Sequence, residues 1–254
     1  MTERILITGA AGRIGTMLRS RMARTGRLLR LLDVVPVESG AGEEVVTCSV
    51  SDLDAMAEAS AGMDAVVHLA GHPGETAWAD ILADNIDGTY TVFEAARRAG
   101  VPRVVYASSN HAVGFRPADD GPDYAFPRPD TFYGVSKVVG EALGSLYHDR
   151  HGLHVVCLRI GTCADRPTGE RALATWLSPD DCARLVEAAI AAPDPGFRVV
   201  WGVSANTRGT WSLAEARAIG YEPRDDAEIY ASDVTPASDL DRTYLGGDFC
   251  GDAP

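Results

Sequence analysis

A tyrosine and a lysine are spaced so that they could work as one acid–base pair. Lys137 follows Tyr133 by four positions in a segment of helical pattern, so both side chains would share one helix face. A free tyrosine has a pKa near 10, and acting as a base near pH 7 requires a shift of about three units. A neighbouring ammonium group favours the phenolate. Ser109, at the end of an apolar strand pattern, could hydrogen-bond the reacting oxygen.

The same spacing also fits an ordinary amphipathic helix, in which Val138, Ala142 and Leu146 form the core stripe. A second motif decides between the two interpretations. Gly9, Gly12 and Gly15 lie between a predicted strand and a predicted helix. Glycines let the backbone approach a pyrophosphate, and the helix N-terminus offers it unpaired N–H groups. Together, and in this order along the chain, the two motifs predict a dinucleotide-dependent enzyme.

An acidic residue at the end of the second predicted strand indicates which dinucleotide is bound. Asp33 follows Gly15 by 18 residues, where its carboxylate can accept hydrogen bonds from an adenosine ribose. The carboxylate would repel a 2′-phosphate, so the predicted cofactor is NAD rather than NADP. Asp52, after the third strand, would hold the adenine edge or cap the next helix. The other predicted cofactor contacts are Arg13, Ile14, Leu53 and Leu69.

These motifs need a sheet to position them, and the chain alternates short apolar runs with helical patterns. Continuous β-branched runs are typical of strands buried on both faces. The predicted fold is α/β, a doubly wound parallel sheet (Rossmann), with a small C-terminal substrate-binding region; residues 1–254 form a single domain. The predicted strands are Arg4–Thr8, Leu28–Leu32, Val45–Ser49, Ala65–Leu69, Arg103–Ser108, Val155–Ile160 and Phe197–Trp201. The predicted helices run to about Thr25 after the glycine turn, and over Trp78–Ala99, Tyr133–Arg150 and Asp180–Ala192.

Two irregular segments, at about 115–131 and 161–178, interrupt this alternation. Each follows the carboxyl end of a strand, where open α/β sheets bind ligands. Long loops in compact domains are usually functional, which favours substrate loops over plain solvated surface. The polar segment at about 231–254 is expected to be a loosely held tail.

Composition narrows the class of protein further. The net charge of −13 and the lack of a basic cluster argue against nucleic-acid binding. Neither a membrane-spanning apolar run nor a signal-peptide pattern is present, so a cytoplasmic location away from membranes is expected. The five cysteines are scattered without metal-ligand spacing, which predicts free thiols and no metal site. An anionic substrate would need a local cation.

Several sequence strings resemble the extended short-chain dehydrogenase/reductase family over nearly the whole chain. They are the glycine turn, Asn85-Ile86-Asp87-Gly88-Thr89, Ser108-Ser109 and Tyr133-x-x-x-Lys137. A narrower set is similar to the uronate dehydrogenase group of that family. It comprises Ala107-Ser108-Ser109-Asn110-His111, Tyr133-Gly134-Val135-Ser136-Lys137, Arg159-Ile160-Gly161-Thr162-Cys163, Ser178-Pro179-Asp180-Asp181 and the segment 200–206.

This resemblance implies NAD-dependent oxidation of C1 of a cyclic glucuronate or galacturonate to an aldarolactone. It implies Tyr133 as the base, Lys137 as its activator and ribose ligand, and Ser109 as the partner of the substrate hydroxyl. Arg171 matches the arginine that binds the uronate carboxylate. The remaining sugar contacts that it implies are Asn110, His111 and Thr162, the last standing where the group usually has serine. A homo-oligomer is also expected by analogy.

One position departs from the group. Pro73 stands where a substrate-binding serine is expected, and proline cannot donate a hydrogen bond. The sugar would then be held differently, through His72 for example, or the substrate is a relative of a uronate. The alternatives are a sugar epimerase or dehydratase, a dehydrogenase of another aldose or cyclitol, and a non-catalytic NAD-sensing protein.

Overall fold

Seven parallel strands form the central sheet of the structure, a computed structural model that describes residues 2–251. The strands are β1 Glu3–Thr8, β2 Arg27–Asp33, β3 Glu43–Thr47, β4 Ala65–His68, β5 Arg103–Ser109, β6 His154–Ile160, β7 Thr162–Cys163, β8 Trp176–Leu177 and β9 Phe197–Gly202. The sheet order is β3-β2-β1-β4-β5-β6-β9, and β7 pairs with β8 in a separate ladder. The predicted doubly wound parallel fold is therefore confirmed.

Helices cover both faces of the sheet. They are α1 Arg13–Met22, α2 Leu53–Ser60, α3 Trp78–Asp80, α4 Gly88–Ala99, α5 Phe132–His151, α6 Ala172–Thr175, α7 Pro179–Ala191, α8 Ala214–Ala218 and α9 Asp239–Thr243. Alternate residues of each strand point into two separate cores, so that Ile5 and Ile7 pack on the α1 and α7 side, whereas Leu6 packs on the α2 and α4 side. Within residues 2–251, no helix has the length and apolar character that crossing a membrane requires.

The strand order reverses direction between β1 and β4. The chain builds β1, β2 and β3 towards one edge and then returns to add β4 on the other side of β1. Crossover connections diverge at this point and leave a crevice at the carboxyl ends of the strands, the usual ligand site of open parallel sheets. Thr8 pairs with His68, and His68 with Tyr106, across this edge.

The predicted helix Trp78–Ala99 is continuous, but its middle is not α-helical. Residues Ile81–Asp87 form a π-helical stretch between α3 and α4. Such bulges inside helices frequently mark functional positions. The short elements β7, β8, α6, α8 and α9 have no counterpart in the prediction, because two to five residues are too few to show a periodic pattern.

The prediction that the C-terminal segment is loosely held is wrong for the described residues 231–251. Leu245 is 1% exposed, and its N–H donates to the carbonyl of Arg116 over 2.8 Å. Helix α9 begins with a capping box formed by Ser238 and Asp241. The polar composition of the segment did not indicate that Leu245 is buried, nor that the segment makes backbone hydrogen bonds to the 115–131 loop. Residues 252–254 of the predicted tail lie outside the described residues.

Candidate active site

The glycine turn lies where β1 ends and α1 begins. Gly9 has φ +71°, and a Cβ at this position would lie 2.7 Å from the backbone nitrogen of Ala70. A Cβ on Gly15 would overlap the carbonyl oxygen of Gly9. Helix α1 starts after Gly12 with no side-chain cap and no acidic residue in its first turn. The first N–H groups of the helix are therefore free to meet phosphate oxygens, which fits a dinucleotide.

Asp33 ends β2 beside this turn. Its Oδ2 accepts a hydrogen bond from the Ala11 N–H over 2.9 Å, and its Oδ1 accepts from the Val35 N–H over 3.0 Å. The carboxylate is thus fixed against the glycine turn, on the side where an adenosine ribose would lie. Asp52 caps α2, since its Oδ1 accepts from the Ala55 N–H over 3.1 Å. The capping alternative therefore holds for Asp52, and an adenine contact stays a prediction.

The other predicted cofactor residues stand at the starts of helices α1 and α2 or directly after a strand. Arg13 and Ile14 open α1, and Leu53 is the first residue of α2. The Leu69 N–H donates to the Thr8 carbonyl over 3.2 Å, which places Leu69 directly after β4 at the switch point. Four of these contacts thus lie at the carboxyl edge of adjacent strands, and their roles towards NAD stay predictions.

Replacing Asp33 by Asn should weaken NAD and narrow the preference for NAD over NADP. The amide keeps an acceptor oxygen for the glycine turn but loses the charge that attracts ribose hydroxyls and repels a 2′-phosphate. We expect the KM for NAD to rise about tenfold or more, as expected for losing a charge-assisted hydrogen bond. Initial rates with NAD and NADP measure both effects. A parent enzyme that prefers NADP would contradict the assignment.

Tyr133 and Lys137 lie on the buried face of α5, as the four-residue spacing predicts. Lys137 Nζ is 5.2 Å from the centroid of the Tyr133 ring, and it donates to the Ala107 carbonyl over 2.9 Å. Burial lowers the pKa of Lys137 to about 8. Burial raises the pKa of Tyr133 to about 12, with the Ser109 hydroxyl acting in the opposite direction. The lysine therefore lies close to the phenol, but its charge alone does not bring the pKa down.

Ser109 ends β5, next to the tyrosine. Its side-chain oxygen accepts from the His111 N–H over 3.2 Å and so begins the short 3-10 helix Asn110–Val113. Asn110 is 3% exposed, and in its better-fitting amide orientation it donates to the Ile160 carbonyl and accepts from Arg171. The sequence string Ser109-Asn110-His111 thus forms one turn at the carboxyl end of β5.

His111 is held by a residue that the sequence did not single out. Its Nδ1 is 2.7 Å from Oδ2 of Asp130, whose side chain is fully buried. The imidazole meets the Tyr133 ring edge to face, with 5.8 Å between centroids. The imidazole also contacts the Phe249 ring, with 4.2 Å between centroids. The C-terminal segment therefore reaches the candidate site and covers His111.

Arg171 precedes α6 and is largely buried rather than solvated. Its side chain is 19% exposed, and burial lowers its pKa. One guanidinium nitrogen donates to the Leu245 carbonyl over 2.5 Å, and Asp241 lies 3.9 Å away. Thr162, also predicted to bind the sugar, is 2.9 Å from the Thr175 hydroxyl. The C-terminal segment thus holds the Arg171 guanidinium in the interior, through the Leu245 carbonyl and Asp241.

The segment around Pro73 contacts helix α5 through a residue that the sequence analysis missed. Glu75 accepts from the Tyr133 N–H over 2.8 Å and from the Phe132 N–H over 3.3 Å. A carboxylate at a helix N-terminus is favourable because it meets the positive end of the dipole. His72 Nε2 lies within hydrogen-bond distance of Asp84 Oδ2, at 2.9 Å. Its imidazole therefore has a protein partner already, which weakens the idea that it replaces the expected serine.

Two further side chains, those of Asn85 and Glu141, make buried contacts next to the residues of the candidate site. Asn85, in the π-helical stretch, accepts from the His72 N–H over 2.7 Å and donates to Ser136 Oγ over 3.2 Å. Glu141 forms a two-pronged, buried ion pair with Arg159, which also donates to the Ala125 carbonyl in the 115–131 loop. Asn85 appeared in the sequence only as part of a motif. Glu141, one turn beyond Lys137, carried no signal of its own.

A glycine turn before α1, an adjacent carboxylate and a buried tyrosine–lysine pair on a doubly wound sheet are the features of an NAD-dependent oxidoreductase of the Rossmann type. The sequence pattern of the NAD dependent epimerase/dehydratase family matches residues 5–164. The chain belongs to that family.

The chain is also similar to individual proteins of named activity over most of its length. A uronate dehydrogenase from Pseudomonas putida is 41% identical over 97% of this chain and 95% of its own length. A solved mutant of uronate dehydrogenase from Agrobacterium tumefaciens, complexed with NAD, has a TM-score of 0.93, 40% identity, and coverage of 98% of this chain and 97% of that chain. An L-arabinose 1-dehydrogenase (NAD(P)(+)) from Haloferax volcanii is 40% identical over 88% of this chain and 97% of its own.

Proposed function

We propose that the protein is a uronate dehydrogenase, which oxidises C1 of a cyclic hexuronate such as glucuronate or galacturonate to the aldarolactone. The observation that carries the proposal is the connection of Arg171 to the tyrosine site. Arg171 bonds the Leu245 carbonyl and contacts Asn110. Asn110 precedes His111, whose ring lies against Tyr133. A largely buried guanidinium in an acidic protein is suited to one sugar carboxylate, and the uronate dehydrogenase relatives support that substrate.

The residues divide the chemistry between them. Tyr133 takes the proton of the C1 hydroxyl while the C1 hydrogen leaves with its electron pair, so C1 becomes the lactone carbonyl. The glycine turn and Asp33 would hold NAD, which would supply the acceptor for that hydride and a positively charged ring that favours the Tyr133 phenolate. Lys137 adds an ammonium beside the phenol, at 5.2 Å from the ring centroid. Ser109 would hydrogen-bond the C1 oxygen. Asn110, His111 and Thr162 would hold the sugar hydroxyls.

An absorbance screen for NADH tests the proposal. Purified enzyme with NAD is offered free uronic acids, neutral aldoses and nucleotide sugars, and the initial rates are compared. We expect net NADH formation with glucuronate or galacturonate, and kcat/KM for them well above that for the matching neutral aldose. An epimerase or dehydratase would turn over a nucleotide sugar without net NADH formation. Activity on no uronate would contradict the proposal.

A second candidate is a dehydrogenase of a neutral aldose. Pro73 removes a donor expected for a uronate, and the 40% identity to an L-arabinose 1-dehydrogenase lies close to that of the uronate dehydrogenases. In that case the screen gives its highest kcat/KM with a pentose or hexose, and Arg171 confers no preference for a carboxylate.

Assembly and location are part of the same proposal. A homo-oligomer in the cytoplasm, without nucleic-acid or membrane partners, fits the acidic surface. The helices α3, α4 and α5 support assembly, because they expose large apolar side chains: Trp78, Tyr90, Phe132 and Leu146 are 45%, 46%, 52% and 46% exposed. Trp78 and Phe132 also contact each other, with ring centroids 5.3 Å apart. Sedimentation analysis of the purified chain measures the oligomeric state directly.

A further inference from the structure

Asp130 is a buried carboxylate to which the proposed reaction assigns no role. It lies at the end of the 115–131 loop, just before α5, and its side chain is fully buried. Its Oδ2 is 2.7 Å from His111 Nδ1, and its Oδ1 accepts from the Thr131 hydroxyl over 2.9 Å. The Cys250 thiol lies 3.9 Å from Oδ2. Both carboxylate oxygens therefore face donors.

Two glycines leave the space that the Asp130 carboxylate occupies. A Cβ on Gly114 or on Gly246 would overlap Asp130 Oδ2. These glycines come from two separate segments, the start of the substrate loop and the C-terminal segment, which are joined by the bond from the Gly246 N–H to the Gly114 carbonyl over 2.9 Å. The carboxylate therefore packs against both segments, at positions where a residue with a Cβ would leave no space for it.

This geometry restricts the protonation pattern of the imidazole. An ionised carboxylate only accepts hydrogen bonds, so the proton of a neutral His111 ring must be on Nδ1. The second nitrogen, Nε2, is then an acceptor. Nε2 has no hydrogen-bond partner in residues 2–251. The imidazole also contacts the rings of Tyr133 and Phe249, whose centroids lie 5.8 Å and 4.2 Å from its own.

We propose that Asp130 is a positioning residue that acts through His111, holding the imidazole so that Nε2 accepts a hydrogen bond from a hydroxyl of the sugar beside Tyr133. The inference rests on the proposed function, because it takes a sugar as the ligand. It goes further in stating the direction of that bond, with the sugar as donor, and in assigning its control to a residue that does not touch the sugar.

The tautomer of His111 tests the proposal without any change to the site. Nitrogen NMR of the intact enzyme at neutral pH, with the His111→Asn variant used to assign the signal, distinguishes Nδ1–H from Nε2–H. We expect Nδ1–H at His111. The Nε2–H form would overturn the proposal. This measurement needs no substrate, so its result does not depend on whether the enzyme oxidises uronates.

A double-mutant cycle tests the functional part on whichever sugar gives net NADH. We expect Asp130→Asn to lower kcat/KM about tenfold to 100-fold, consistent with loss of a hydrogen bond to a charged group. His111→Ala should lower it at least as much, and adding Asp130→Asn to His111→Ala should cause no further loss. The affinity for NAD should stay within about twofold in all three variants.

The matched control is Asp123→Asn, an exposed aspartate of the same loop that hydrogen-bonds Ser212. We expect its kcat/KM to stay within about twofold of the parent, because surface substitutions rarely have larger effects. Additive losses in the cycle would mean that Asp130 supports the loop or Arg171 independently of His111, and that result would overturn the proposal. An unchanged kcat/KM in Asp130→Asn would overturn it as well.

Discussion

Tyr133→Phe should reduce turnover about 10²- to 10⁴-fold while the enzyme still binds NAD with nearly parental affinity. Phenylalanine retains the ring, with its edge contact to His111 and its position 5.2 Å from Lys137 Nζ, and removes only the group that ionises. The magnitude follows from the usual contribution of a positioned general base. Single-turnover NADH formation on the best sugar measures the chemical step, and fluorescence titration with NAD measures cofactor binding.

Tyr106→Phe is a matched control for that experiment. The Tyr106 ring also lies beside Lys137, with 5.3 Å from Nζ to its centroid, and its hydroxyl has no hydrogen-bond partner in the described residues. Removing that hydroxyl should change turnover by less than about threefold, because no buried bond is lost. Turnover of Tyr133→Phe within a few-fold of the parent would exclude Tyr133 as the base.

Arg171→Ala should lower kcat/KM on glucuronate by about one to two orders of magnitude or more, and on glucose far less. A guanidinium binds a carboxylate through two parallel hydrogen bonds, which a sugar CH₂OH group cannot reproduce. Each such bond contributes about 1.5 to 3 kcal/mol, and 1.36 kcal/mol is tenfold in rate. The ratio of kcat/KM for the two sugars is the measurement, because it cancels effects common to both.

The structure shows why this ratio, rather than the loss on one sugar, carries the conclusion. The Arg171 guanidinium also donates to the Leu245 carbonyl, so its removal loosens the C-terminal segment that covers His111. Arg171→Lys keeps the charge without the two-pronged geometry and should fall between parent and Ala. Arg166→Ala, at an exposed arginine of the same loop, should leave the ratio unchanged. Equal losses on both sugars would assign Arg171 to the fold.

The sequence was sufficient for the sheet and for the residues nearest to the chemistry. Strands such as β4, in which Ala65, Val66 and Val67 follow one another, are continuous apolar runs because both of their faces are buried, and that composition is visible without coordinates. Parallel strands joined by helices place their carboxyl ends at one edge of the sheet. The glycine turn and Ser109 each follow such an end, and Tyr133 opens the helix between β5 and β6, so their convergence followed from the order of elements along the chain.

What the tertiary structure decided are contacts between distant residues that carry no motif. Glu75 bonds the Tyr133 N–H across 58 positions, and Arg171 bonds the Leu245 carbonyl across 74 positions. A backbone carbonyl has no side-chain signature, so the polar C-terminal sequence gave no sign that it closes over the site. The effect of burial on a pKa likewise has no signature in the sequence. The sequence placed a lysine beside Tyr133, but only the packed structure shows that burial raises the pKa of the phenol to about 12.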